Sequence, residues 1–120
     1  MKKKTIVIGA SDNPDRYAYK ATVQLQKNKH PVIPVGLRNG MIETIPIQTD
    51  QTEIKDVDTV TLYVSPEHQP YWYKYILGLH PKRIIFNPGT ENPEFEQMAN
   101  DQRVTVERAC TLVLLSTGQY

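Results

Sequence analysis

The sequence predicts a doubly wound α/β domain, with a parallel sheet covered by helices on both faces. Three observations predict it. Short, β-branched apolar runs recur along the chain, as strands buried on both faces require. Segments with apolar residues at helical spacing separate them. Turn-forming residues punctuate the junctions. Strands that alternate with helices pair in parallel through right-handed crossovers.

Thr5-Ile6-Val7-Ile8 is the first strand. A turn-rich stretch, Gly9 to Arg16, leads into a helix whose apolar face is Ala18, Ala21, Thr22 and Leu25. Asn28-Lys29-His30-Pro31 ends that helix, because proline cannot continue it. Val32-Ile33-Pro34-Val35 is the second strand. Residues 36–48 are expected to form a loop or small hairpin around Asn39-Gly40. Asp50 and Glu53 have capping-box spacing, so a short helix is expected over 50–55. Residues 57–64 form the third strand. Ser65-Pro66-Glu67 starts a helix with Trp72, Tyr75, Ile76 and Leu79 on its apolar face. Residues 83–86 are the fourth strand. Asn92-Pro93 opens a helix that buries Phe95, Met98 and Ala99, and residues 104–106 are the fifth strand. Cys110 to Leu115 is apolar and fits either a helical turn or a strand. About five parallel strands result, in the expected Rossmann-like order 3-2-1-4-5. The 120 residues suit a single domain over 1–120.

Composition narrows the function. Fourteen basic and thirteen acidic residues leave a net charge of +1, which gives no electrostatic footprint for nucleic acid or an anionic membrane. The single cysteine, Cys110, excludes an internal disulfide and a cysteine-based zinc site. No apolar run approaches the ~20 residues of a membrane span, so a reducing, cytoplasmic compartment is expected.

In sheets of this class, ligands bind beyond the carboxyl ends of the strands, where the winding reverses. The expected order puts that point between the first and fourth strands, so residues 9–17, 34–38, 64–69 and 87–90 are the candidates. Gly9, Ala10 and Ser11 offer small residues, backbone N–H groups and a hydroxyl before a helix N-terminus, which suits a phosphate. Arg16 can add a charged fork; a capped tight turn with Arg16 in solvent is the alternative. The three-glycine dinucleotide fingerprint is absent. The second strand lacks the terminal acid that holds the ribose of NAD, and Arg38 stands nearby instead, which favours a ligand with a ribose phosphate. His30 and His80 fall on the opposite edge. His68 falls on the right edge, beside Glu67. No Ser-His-Asp order, metal cluster or carboxylate pair emerges. Tyr71, Tyr73 and Tyr75 flank Trp72 as core or partly covered surface; a face toward a second copy of the chain or a partner protein is the alternative.

The stretch Ile8-Gly9-Ala10-Ser11-Asp12-Asn13-Pro14-Asp15-Arg16 resembles the phosphate loop of small bacterial CoA-binding domain proteins, stand-alone relatives of the N-terminal domain of the succinyl-CoA synthetase α subunit. Val32-Ile33-Pro34-Val35, Val64-Ser65-Pro66-Glu67, Asn87-Pro88-Gly89 and Cys110 extend the resemblance nearly end to end. It implies that Gly9, Ala10, Ser11, Asn13 and Arg16, with Tyr17 behind them, face the phosphates of CoA. It sets Val35 and Arg38 by the ribose phosphate, Ser65 and Pro66 near the adenosine, and Asn87, Pro88 and Gly89 along the pantetheine path. Family members often carry Asn-Pro and then Lys after the second strand, where this chain has Gly36-Leu37-Arg38. The histidine that carries phosphate in the synthetases belongs to a domain this chain lacks.

The expected function is therefore non-catalytic binding of CoA or an acyl-CoA, a small nucleotide ligand. An NADP-type oxidoreductase and an interaction protein that keeps the fold without the ligand are the alternatives.

Overall fold

The computed structural model describes residues 2–120. Its central sheet joins β1 (Thr5–Ile8), β2 (Val32–Val35), β5 (Thr59–Leu62), β6 (Arg83–Phe86) and β7 (Thr105–Arg108). All four pairings are parallel, in the order β2-β1-β5-β6-β7. Helices α1 (Tyr17–Lys27) and α4 (Thr111–Ser116) cover one face. Helices α2 (Pro70–Gly78) and α3 (Pro93–Asp101) cover the other. The α/β, Rossmann-like class is as the sequence predicts.

Strand parity builds the two faces. Ile6 and Ile8 point into the larger core with Val60, Leu62, Ile84, Phe86, Trp72, Ile76, Phe95 and Ala99. Val7 points the other way, against Ala18 and Leu25 of α1. Trp72 is core, while Tyr73 is half-buried and stacks on Phe95 with ring centroids 4.4 Å apart.

Counting only the five sheet strands along the chain, their order is 2-1-3-4-5. The expected 3-2-1-4-5 put the third strand outside the second, whereas Thr59–Leu62 pairs with β1. The segment after β2 explains the difference. Gly36 donates to the Gln48 carbonyl at 3.0 Å, and Gln48 donates to the Pro34 carbonyl at 2.9 Å. That bridge takes the outer edge of β2, so the chain passes to the far side of β1. The same segment holds a hairpin of β3 (Met41–Ile42) and β4 (Ile45–Pro46). Its reversal is at Glu43-Thr44 rather than at Asn39-Gly40, and Glu43 takes the left-handed conformation (φ 53°).

The helix expected over 50–55 does not form. Gln51 and Asp56 have φ of 50° and 60°, which no right-handed helix allows. The Thr52 hydroxyl bonds the Asp50 carboxylate, and the Thr52 carbonyl accepts from the Tyr75 hydroxyl at 2.7 Å. The helix expected from Ser65 is split into a 3₁₀ turn (Pro66–His68) and α2. Pro70 has no N–H to continue the ladder. Gln69 is buried between them, its amide donating to the carbonyls of Val64 (2.9 Å) and Thr90 (2.7 Å). Asn92 caps α3 as expected, accepting from Phe95 N–H at 3.2 Å. The undecided segment after β7 is helical, as α4.

At the amino edge of the sheet, His30 Nδ1 accepts from Lys3 N–H at 3.0 Å, and its ring meets Tyr120 edge-on at 4.8 Å. Burial lowers its pKa first, and Lys2, Lys3 and Arg83 lower it further. The unfolded chain therefore binds this proton more readily than the native one, and the contribution of neutral His30 is lost as pH falls below the ordinary histidine value. Melting curves at pH between about 7.5 and 5.5 should show wild type losing more stability on acidification than His30→Gln. Parallel curves would contradict this placement.

Candidate functional site

The loop after β1 is shaped by two close approaches. Gly9 has φ +92°, and a Cβ there would stand 2.8 Å from the Tyr63 carbonyl oxygen. Gly36 is buried, and a Cβ there would stand 2.6 Å from the Ala10 carbonyl oxygen. The carboxyl ends of β1, β2 and β5 thus meet without side chains between them. Glycine at position 36 is what the tight packing of the loop requires.

Two expectations about this loop change. The N–H groups of Gly9 and Ala10 both donate to the Val35 carbonyl at 3.0 Å, so neither is free for a phosphate. Val35 itself is fully buried in the core and does not reach the crevice. Asn13 is exposed and organises the loop, accepting at Oδ1 from Asp15 N–H (3.0 Å) while its N–H donates to Ser11 Oγ (3.1 Å). It does not line the crevice. Among the described residues, the N–H groups of Ser11, Asp12 and the first turn of α1 (Tyr17, Ala18, Tyr19) have no acceptor, and no side chain caps α1. An anion is favoured there by the orphan donors and the helix dipole.

Three adjoining hollows that share wall residues run along the carboxyl edge of the sheet. The widest, about 780 Å³, lies between Gly9, Arg16, Arg38, Val64, Ser65, His68, Tyr71 and Trp72. The middle one, about 460 Å³, is walled by Gly9, Ser11, Arg16, Tyr17, Arg38 and Tyr63. The third is a more enclosed chamber of about 240 Å³ between Tyr17, Tyr63, Asn87, Pro88, Cys110 and Leu112. Arg16 and Arg38 join the first two, and Tyr17 joins the second to the third. Tyr63 borders all three. The crevice opens where β1 adjoins β5, the neighbour that the observed strand order gives it, rather than between the first and fourth strands.

Both arginines are exposed, and among the described residues neither has a carboxylate within 4.0 Å. Two unpaired guanidiniums beside an uncapped helix N-terminus make the middle hollow the most anion-receptive part of the crevice. Leu37 and Tyr71, 71% and 63% exposed, stand at the wide end as apolar surface that a ligand can cover.

Ser65 lines the wide hollow, whereas Pro66 lines none of the three. Pro88 walls the chamber, but Gly89 points away, its N–H donating to the Glu91 carboxylate at 2.9 Å. Asn87 reaches the chamber wall, yet its amide is committed. Nδ2 donates to Thr61 Oγ1 (2.7 Å) and the Leu62 carbonyl (2.9 Å), and Oδ1 accepts from Thr111 N–H (2.9 Å). It ties β5 and β6 to the start of α4.

Sequence reasoning missed Tyr63, Trp72 and Leu112, while Leu37 fell inside the 34–38 window without being singled out. Tyr63 follows β5 directly, so the rule that ligands sit at strand ends would have found it had the candidate window begun one residue earlier. Its hydroxyl is buried and makes no hydrogen bond, since the Thr61 and Thr111 hydroxyls bond each other at 2.7 Å. Burial pushes its pKa well above the ordinary tyrosine value, so the phenol stays neutral.

His68 lines the wide hollow at its exposed rim, 3.8 Å from Glu67. His30 and His80 are at the amino edge, as expected. His80 borders a separate hollow of about 530 Å³ with Glu53, Lys55, Asp56, Asp58 and Lys82. That hollow has no uncapped helix N-terminus, and it lies at the end of the sheet where α/β ligands do not bind. Among the described residues, no three His, Cys, Asp or Glu converge as a metal site. No helix among the described residues is long and apolar enough to cross a membrane.

Among solved structures, the chain matches that of an uncharacterized protein over 100% of its own length and 99% of the other, at 44% identity and a TM-score of 0.98. A conserved hypothetical protein from Pyrococcus furiosus aligns over 88% of this chain and 91% of its own, at 25% identity and a TM-score of 0.76. A Thermus thermophilus protein shares the fold at 22% identity and a TM-score of 0.81, over 98% of this chain and 91% of its own. No curated protein matches the chain. The family model described as CoA binding domain matches residues 3–116, nearly the whole chain, and with it the strand-end crevice, the glycine-bearing loop and the paired arginines. The chain belongs to the CoA binding domain family.

Proposed function

We propose that the protein binds CoA or an acyl-CoA along this crevice and does not transform it, in a reducing cytoplasmic compartment. One observation carries the reading: the three hollows adjoin one another, sharing wall residues, in the order that an elongated CoA molecule needs. The wide end offers Ser65, Leu37 and Tyr71 for the adenosine. Arg38 joins the wide and middle hollows, where a ribose phosphate would lie. Arg16, Ser11 and the α1 N-terminus take the pyrophosphate. The narrow chamber takes the thiol end of pantetheine.

Binding rather than catalysis is supported by how the reactive groups are dispersed. His68 lines the wide hollow and Cys110 the chamber, so no base and nucleophile share a wall. A thermal-shift screen of CoA, acyl-CoAs, NAD, NADP and ATP tests the reading. CoA at 100 times its dissociation constant should stabilise the native state by about 2.7 kcal/mol. A larger shift with NADP would favour an oxidoreductase, and no shift with any nucleotide would favour an interaction protein.

Cys110 gives a second test. It is half-buried at the chamber wall, where the ligand thiol would end. Incubation with CoA disulfide should yield a mixed disulfide: the Cys110 thiolate attacks one sulfur, the S–S bond breaks, and one CoA thiolate leaves. Intact-protein mass should show one CoA adduct, absent from Cys110→Ser. An adduct that survives the substitution would place the thiol end elsewhere.

A further inference from the structure

The end chamber is larger than a thiol needs. Its volume is about 240 Å³. At ~30 Å³ per water-sized group it has room for roughly eight heavy atoms. A sulfur and the two carbons bearing it take three of these, which leaves space for a short acyl group.

The chamber wall also has a definite chemistry. None of its six residues (Tyr17, Tyr63, Asn87, Pro88, Cys110 and Leu112) is an acid, a lysine, an arginine or a histidine. The one amide, Asn87, has both ends engaged and cannot turn to a ligand. The same bond uses the N–H of Thr111, the first residue of α4, so that helix start offers one donor fewer. Arg16 and Arg38 wall the middle hollow and not the chamber. A carboxylate carried into the chamber would meet no cation, only the neutral Tyr63 hydroxyl as a buried side-chain donor without a partner, and burial of a charge without a counter-ion is unfavourable.

We infer that this chamber accepts a short, uncharged acyl group on the CoA sulfur and rejects acyl groups that end in a carboxylate. This rests on the CoA reading above, and it names the ligand class within it. Butyryl-CoA and succinyl-CoA have acyl chains of four carbons and differ in the terminal carboxylate, which adds two oxygens and a negative charge; the lysine variant below separates the charge from the added bulk.

The test is calorimetric titration of wild-type protein with CoA, butyryl-CoA and succinyl-CoA at pH about 7.5. Butyryl-CoA should bind within about threefold of CoA, and succinyl-CoA at least tenfold more weakly than butyryl-CoA. Equal affinity for the two acyl-CoAs would overturn the charge argument. Butyryl-CoA binding tenfold more weakly than CoA would overturn the size argument and leave a thiol-only chamber. Failure of CoA itself to bind would overturn the reading on which the inference rests, and the CoA titration alone reveals that case. Leu112→Lys, at a half-buried wall position, supplies the missing cation. It should raise succinyl-CoA affinity relative to butyryl-CoA by at least fivefold. An unchanged ratio in a variant that melts cooperatively would count against the chamber as the acyl site. The wild-type comparison decides the matter if the variant does not fold.

Discussion

Gly9→Val is expected to lower the melting temperature by roughly 10–20 °C, and CoA binding should be lost with the loop. Two costs combine. Residue 9 sits at φ +92°, a region that a β-branched residue enters only under strain of order 1–3 kcal/mol. The new Cβ would also stand 2.8 Å from the Tyr63 carbonyl oxygen and 3.0 Å from Val64 Cγ2. The first of these is backbone that cannot swing aside, and overpacking of this kind typically costs a further ~1–3 kcal/mol. About 3 kcal/mol is a conservative total. From the sequence alone, Gly9 is where a phosphate approaches the backbone, so valine there should block the ligand and leave the fold intact. The structure reassigns the reason: the Cβ would meet Tyr63 and Val64, just beyond β5, not the ligand. Thermal denaturation and titration of the same sample check this. A variant that melts within about 2 °C of wild type would mean that the loop accommodates the side chain.

The second large effect concerns the ribose phosphate. CoA carries a 3′-phosphate that dephospho-CoA lacks. Arg38 stands at the junction of the wide and middle hollows with no carboxylate partner among the described residues. A guanidinium can hold a phosphate through two parallel N–H bonds, and hydrogen bonds to charged groups contribute roughly 1.5–3 kcal/mol. The expected preference for CoA over dephospho-CoA is therefore about ten- to a hundredfold, and Arg38→Ala should remove most of it. Arg38→Lys should restore part, as a point charge without the fork. Because Arg38 is exposed, added salt should shrink the preference. Equal binding of the two ligands by wild type would make Arg38 a solvated loop residue. If the preference persists in Arg38→Ala and disappears in Arg16→Ala, the two arginines exchange roles.

The sheet was legible because its strands are short β-branched runs that suit burial on both faces. Asn92-Pro93 announced α3, and in the structure the Asn92 side chain caps it by accepting from Phe95 N–H. The failures have local causes. Asp50 and Glu53 have capping-box spacing, but the left-handed turns at Gln51 and Asp56 and the Tyr75 hydroxyl hold the segment in another shape, and no periodicity reports those. Asn39-Gly40 is a strong turn signal, yet the hairpin reverses four residues later, because Gly40 is held by Ile47 N–H at 2.9 Å. The position of the third strand depends on the Gln48 bridge to Val35, a long-range pairing without a sequence signature. At the site, residue types at strand ends together with the family resemblance pointed to Gly9, Ala10, Ser11, Arg16, Tyr17, Arg38, Ser65 and Pro88, and the structure gathers them. The reading erred where backbone bonds decide availability, as at the N–H groups of Gly9 and Ala10, and at Val35, whose side chain is buried in the core. It also passed over Tyr63, whose importance comes from three hollows meeting at one ring.

The most direct test of the account is calorimetric titration of protein stripped of carried ligand by unfolding and refolding. CoA and NADP are titrated separately into wild type and into the Arg16→Ala/Arg38→Ala double variant. The account predicts one CoA per chain, tighter than NADP, with CoA binding lost in a double variant that melts like wild type. CoA binding that survives the loss of both arginines, or NADP binding tighter than CoA in wild type, would contradict it.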